Sequence, residues 1–128
     1  MSSLIPAGLL YSPDHEWLDV SGETGTVGIT AFAAQALGDI VFVQLPGEGE
    51  TVSAGAPCGE VESTKSVSEL YAPAAGTVVA VNEAVVTDPS LISTDPYCHG
   101  WLYRLRLTGT PPLLSAVEYQ QFLSGGTR

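Results

Sequence analysis

Positive charge is what this chain most lacks. Lys65, Arg104, Arg106 and Arg128 are its only basic side chains, against fourteen Asp and Glu, and the net charge is -10. A nucleic-acid interface needs Lys/Arg patches on the phosphate backbone, so that class of partner is excluded. An anionic membrane surface is excluded for the same reason. No segment reaches membrane length without Gly, Pro or charge; Met1 to Leu10 is apolar but short and has no basic region before it. No Arg-rich transit peptide is present either. The expected location is the bacterial cytoplasm, or the mitochondrial matrix for a processed eukaryotic form. Cys58 and Cys98 form no CxxC. A structural thiol pair or two free thiols is favoured over a redox or metal centre, and His99 has no ligand partner in the sequence.

What the chain does have is turns. Fourteen glycines and nine prolines separate short apolar runs in 128 residues. That pattern predicts a mainly β fold in one domain spanning 1–128. Strands are expected at His15 to Val20, Thr26 to Thr30, Asp39 to Leu45, Thr51-Val52, Pro57 to Glu62, Ser68 to Tyr71, Gly76 to Asn82, Leu91-Ile92 and Trp101 to Leu107. The run at 39–45 is rich in β-formers and reads as buried. The run at 101–107 alternates apolar residues with Arg, so one of its faces is wet. Thr30 caps a short helix over 31–37 that Gly38 ends. Ser115, with Glu118 three residues on, forms a capping box for a helix at 115–123. Gly25-Thr26-Val27 and Gly76-Thr77-Val78 echo each other. A glycine in each would relax the turn before a strand, and the two units could pair face to face, unless the echo is chance.

The one lysine lies in Val61-Glu62-Ser63-Thr64-Lys65-Ser66-Val67. Strands lead to it and away from it, which places it at a hairpin tip. Small polar neighbours suit a turn and leave room for an approaching enzyme. A solvated amine is protonated at neutral pH and is a poor nucleophile without burial or a cationic neighbour. Neither is indicated here, so the pattern suits a lysine that another protein modifies. Loss of the other lysines by drift is the competing explanation.

Further strings follow in order: His15-Glu16-Trp17, Gly28-Ile29-Thr30, Leu37-Gly38-Asp39-Ile40-Val41, Leu45-Pro46, the lysine string itself, Ala72-Pro73, Gly76-Thr77-Val78, Val81-Asn82, Asp95-Pro96-Tyr97, Gly100-Trp101-Leu102 and Glu118-Tyr119. As an ordered set covering about 11–122, they resemble the H protein family of the glycine cleavage system, whose members are lipoyl carriers. Biotin carriers usually flank the lysine with methionines, which Ser-Thr-Lys-Ser does not. Ser93, Cys98 and His99 depart from the family's usual residues, away from the lysine string.

The resemblance implies a flattened β-barrel or sandwich of the lipoyl-domain (barrel-sandwich hybrid) type. It implies lipoic acid joined by an amide to Lys65, with Glu62, Ser63, Thr64 and Ser66 read by a lipoyl ligase or transferase. It implies a carrier and not an enzyme, with no catalytic residue and no metal. The arm would take an aminomethyl group from glycine decarboxylase (P protein), pass it to an aminomethyltransferase (T protein) and be reoxidised by dihydrolipoyl dehydrogenase (L protein). His15, Glu16 and Glu69 are the expected lining of a cleft that shelters the arm, with Glu16 facing the positive amine. A lipoyl carrier of another pathway, such as lipoyl relay or sulfur oxidation, would use the same fold and lysine. An unmodified β-rich interaction domain is the third alternative.

Overall fold

The computed structural model describes residues 5–109 and 113–124. Arg128 and the start of the Met1–Leu10 run lie outside them. Two antiparallel sheets face each other and are not closed into a barrel. The larger sheet has the order β1 (Leu10–Tyr11), β2 (Glu16–Ser21), β3 (Thr24–Ile29), β9 (Tyr103–Gly109), β8 (Ala75–Val81), β5 (Thr51–Val52). The smaller is β4 (Ile40–Gln44), β6 (Pro57–Ser63), β7 (Val67–Tyr71). Among the described residues, four helices fill the connections: α1 (Ala31–Leu37), α2 (Glu83–Thr87), α3 (Leu91–Thr94) and α4 (Ala116–Leu123). The mainly β sandwich with helices near 31–37 and 115–123 is as expected.

Local chemistry explains the two helices read from sequence. The Thr30 side chain accepts a hydrogen bond from the Ala33 backbone, and Gly38, at φ 85°, ends α1 with its own N–H on Ala34. Both arms of the capping box between Ser115 and Glu118 are formed at the start of α4.

A single apolar cluster joins the sheets. Leu18, Val27 and Leu105 from the large sheet meet Val43, Val61 and Leu70 from the small one. Burying each such side chain contributes about 1.5–3 kcal/mol. On β9, Tyr103 and Leu105 are buried while Arg104 and Arg106 are exposed, as the alternation requires. A second cluster seats α4: Tyr119 stacks on Tyr11 at 4.8 Å, with Trp17 beside them.

Three expectations need correction. The run at 39–45 is only half buried: Ile40 and Val43 point inward, while Val41 and Phe42 are exposed. A register irregularity between Ile40 and Phe42 puts Phe42 on the outer face. Leu91-Ile92 is helical, not extended, and the sequence reading missed α2 altogether. Asn82 caps α2 by accepting from Ala84 N, and Val85 and Ile92 are the buried residues of α2 and α3. The echo strands β3 and β8 do not face each other. They flank β9 in one sheet.

The echo glycines lie within their strands, where they permit close approach. A Cβ at Gly76 would run into the backbone carbonyl of Arg106 on β9, which cannot rotate away. Gly76→Ala is therefore expected to lose about 1–3 kcal/mol of stability. Urea denaturation checks this; an unchanged midpoint would show that β8 and β9 can separate freely.

Candidate functional site

Lys65 sits at the tip of the β6–β7 hairpin, exposed to solvent. The tip is tightly built beneath it. The Ser63 side chain, 9% exposed, turns inward. Its Oγ accepts from the backbone N–H of Lys65 (3.2 Å) and Ser66 (3.1 Å) and donates to the Ser66 carbonyl (3.2 Å). Ser63 N donates to the same carbonyl at 2.8 Å, and Thr64 N donates to Asp39 O at 3.0 Å. That last bond ties the tip to the segment between α1 and β4. The backbone is thus fixed while the lysine side chain is free. Glu62, Thr64 and Ser66 are exposed around it; Ser63 is not.

The lysine stem passes over Gly38, close enough that a methyl group there would touch its Cε at 3.3 Å. Beside Gly38 opens a cleft of about 240 Å³ between α1 and the hairpin. Phe32, Ala33, Ala36 and Leu37 form its helical wall, and Val61, Ser68, Glu69 and Leu70 its hairpin wall. Along the helix it extends about 8 Å from Phe32 to Leu37. His15, Glu16 and Glu69 all line this one cleft. The wall supplied by α1 was not singled out in the sequence; its only signal was that the helix is mostly small and apolar.

Glu16 is 2% exposed. Its Oε1 accepts from Ser12 Oγ at 2.9 Å, and its Oε2 accepts from the backbone N–H of Tyr71 at 3.0 Å. Burial pushes its carboxyl up to about 8, against the partial relief given by the Tyr71 and Ser12 hydrogen bonds. The neighbouring His15 has φ 70°, a left-handed conformation unusual for a side chain of its size. Its Nδ1 lies 2.8 Å from Tyr119 Oη, and its ring lies against Phe32 and Phe122. Burial lowers the His15 ring below its usual value. Glu69 stands at the rim, its carboxylate accepting from Tyr71 Oη at 3.1 Å. Trp17 is core, donating to Pro96 O at 3.0 Å. Trp101 is half-buried with the Arg104 guanidinium 4.1 Å above its ring. Cys58 and Cys98 are both free thiols, and His99 does have a partner, Asp95.

An exposed amine on a rigid hairpin, beside an apolar cleft with acid at its base and rim, is the geometry of a carrier domain. Comparison with known proteins gives the particular family. Residues 9–125 match the family described as "Glycine cleavage H-protein". The glycine cleavage system H protein of Thermobifida fusca is 54% identical over 122 residues, covering 94% of this chain and 97% of the relative. That of Streptomyces coelicolor is 56% identical over 119 residues, covering 91% and 95%. The crystal structure of the Mycobacterium marinum H protein aligns with a TM-score of 0.89 at 54% identity, covering 94% of this chain and 99% of that one. The chain belongs to the glycine cleavage H-protein family.

Glu16 links the site to folding. Its carboxyl rises on folding from an ordinary 4.5 to about 8, so the folded state binds a proton that the unfolded state releases. Its stabilising contribution is full below the ordinary value and declines as pH climbs from about 4.5 to 8. The glutamine variant keeps an acceptor for Tyr71 and cannot ionise. Between pH 5 and pH 8, the wild type is expected to lose stability relative to Glu16→Gln by a few kcal/mol. Parallel thermal or urea denaturation series check this. Curves that stay parallel would show that the carboxyl does not titrate in that window.

Proposed function

We propose that the chain works as the H protein of the glycine cleavage system, with Lys65 as its lipoyl attachment site. The observation that carries the reading is the exposed Lys65 amine on a hairpin whose backbone is pinned by Ser63 and Asp39. A lipoyl group held by that amine would supply a redox-active disulfide as the acceptor for an aminomethyl group. The residues present fit such a group. Lys65 is open to an acylating enzyme, and its stem lies over Gly38, the residue that follows Leu37 of the cleft wall. As the only lysine, it offers that enzyme a single side-chain amine.

The other roles follow from position. Glu62, Thr64 and Ser66 are exposed around the amine and serve as the surface that a lipoyl ligase or transferase reads. Ser63 serves indirectly, by fixing the turn. The apolar walls of the cleft exclude water from an arm folded against them. Glu69 at the rim attracts a protonated amine, and Glu16 at the base ionises to pair with one carried into the cleft. His15 packs against Phe32 of α1 and holds the end of the cleft in shape. Partners on this reading are glycine decarboxylase, the aminomethyltransferase and dihydrolipoyl dehydrogenase, which hold the reactive cofactors themselves. The bacterial relatives support a cytoplasmic location.

Two measurements test the reading. Co-expression with a lipoate ligase and lipoate is expected to add one lipoyl mass to the chain and none to Lys65→Arg, whose guanidinium is not acylated at neutral pH. An unshifted wild-type mass would refute lipoylation. With the lipoylated protein loaded with methylamine, Glu16→Gln is expected to release the amine several times faster than the wild type. Equal rates would remove Glu16 from the role.

A further inference from the structure

We propose that Asp95, Cys98 and His99 form a surface site for a divalent transition-metal ion, of which Zn²⁺ is the type. One ligand atom from each side chain, a carboxylate oxygen, a thiol sulfur and an imidazole nitrogen, lies within 4.8 Å of the other two. The closest pair is His99 Nδ1 and Asp95 Oδ2 at 2.6 Å. These are the three donor types that zinc takes, and the site faces solvent, so water can complete a tetrahedron.

The case rests on the backbone beneath. Asp95 O accepts from Gly100 N at 2.8 Å, and Asp95 Oδ2 accepts from His99 N at 3.1 Å. The turn is clamped from the core side as well. Trp17 Nε1 donates to Pro96 O at 3.0 Å, and the buried Asn82 donates from Nδ2 to His99 O at 2.9 Å and to Trp101 O at 2.7 Å. Gly100 is irreplaceable there, because a Cβ would strike the Leu91 and Asp95 carbonyls. The three side chains therefore project from a fixed frame, and only their own torsions must adjust. Such preorganisation reduces the entropy lost on binding.

Binding would proceed by exchange of protons for metal. The ion takes the place of the proton between His99 Nδ1 and Asp95 Oδ2, and those atoms spread to about 3.3 Å, as bonds near 2.0 Å at a tetrahedral angle require. The Cys98 thiol gives up its proton to water and binds as thiolate. No electron moves. The net charge of -10 raises the local concentration of any cation.

The test uses the untagged full chain without lipoate, so that no dithiol competes. Calorimetric titration with Zn²⁺ alone is expected to show one saturable equivalent. Titration with Co²⁺ alone is expected to give a thiolate-to-metal charge-transfer band in the near ultraviolet. Cys98→Ser should abolish the band, and His99→Ala should weaken Zn²⁺ binding about tenfold or more. Cys58→Ser should change neither. Both loop variants alter exposed side chains, and circular dichroism checks that they fold. The proposal is overturned if no saturable binding occurs, or if one-to-one binding survives in both loop variants, which would assign it to carboxylates elsewhere.

Discussion

The Glu16 carboxyl group bridges the two sheets. It begins β2 in the larger sheet, and its Oε2 receives the N–H of Tyr71 at the end of β7 in the smaller one. The hairpin that carries Lys65 is thereby tied at its base to the opposite layer, as Asp39 O ties it at its tip. Aiming a carboxyl inward requires a tight local turn. Ser12 supplies it: its Oγ accepts from Asp14 N and Glu16 N and donates to Glu16 Oε1, while its carbonyl accepts from His15 N. The turn forces His15 to φ 70°, a strain of order 1–3 kcal/mol for a non-glycine residue. Tyr119 edge-on and Phe32 and Phe122 tilted against the imidazole hold it there. Helix α4 thus supports the cleft from behind without lining it.

Rigidity and freedom are divided within a few residues of the hairpin. Below Cα of Lys65 every turn amide from Ser63 to Ser66 has an acceptor. Above it, the side chain passes Gly38, and glycine offers no side chain to hold it. For a carrier this division is useful. A fixed base sets the centre of the volume that the arm sweeps, and a free stem lets the far end reach either the cleft or a docked enzyme. The effective concentration at each destination follows from that geometry.

Much of this was legible in the sequence, for identifiable reasons. Thr30, Gly38 and Ser115 with Glu118 act within a few residues, so helices near 31–37 and 115–123 could be read directly. Lys65 stood out because nothing else in the chain shares its chemistry. The failures involve information that is not local. Leu91-Ile92 is a short apolar string that suits a strand or a helix equally, and its burial under Gly100 decides for the helix. Phe42 sits in a run that reads as buried, yet the small sheet has one face open and a bulge turns the ring outward. The echo of β3 and β8 marks two strands that must each lie close to β9, not two units that stack. Glu16 could be linked to the cleft by resemblance, but its bond to Tyr71 spans 55 residues and leaves no trace in spacing.

The scarcity of lysine and the burial of Glu16 bear on the same point. A carboxyl enclosed by apolar groups is costly to ionise, and two hydrogen bonds offset only part of that cost. An internal Lys or Arg would neutralise it permanently and close the cleft to other cations. None does so. Among the described residues the remaining arginines are engaged on β9, Arg104 over Trp101 and Arg106 4.0 Å from Glu23, and neither lines the cleft. At neutral pH the base of the cleft therefore holds a largely neutral acid whose most favourable ionising partner must come from outside. An ammonium group entering the cleft would favour the ionised form of Glu16, whose proton would pass to solvent and leave a carboxylate to pair with it, whereas a neutral guest would leave Glu16 protonated. The same burial that weakens the fold as pH rises is what makes the cleft respond to charge, and substituting glutamine separates the two by keeping the shape and removing the proton.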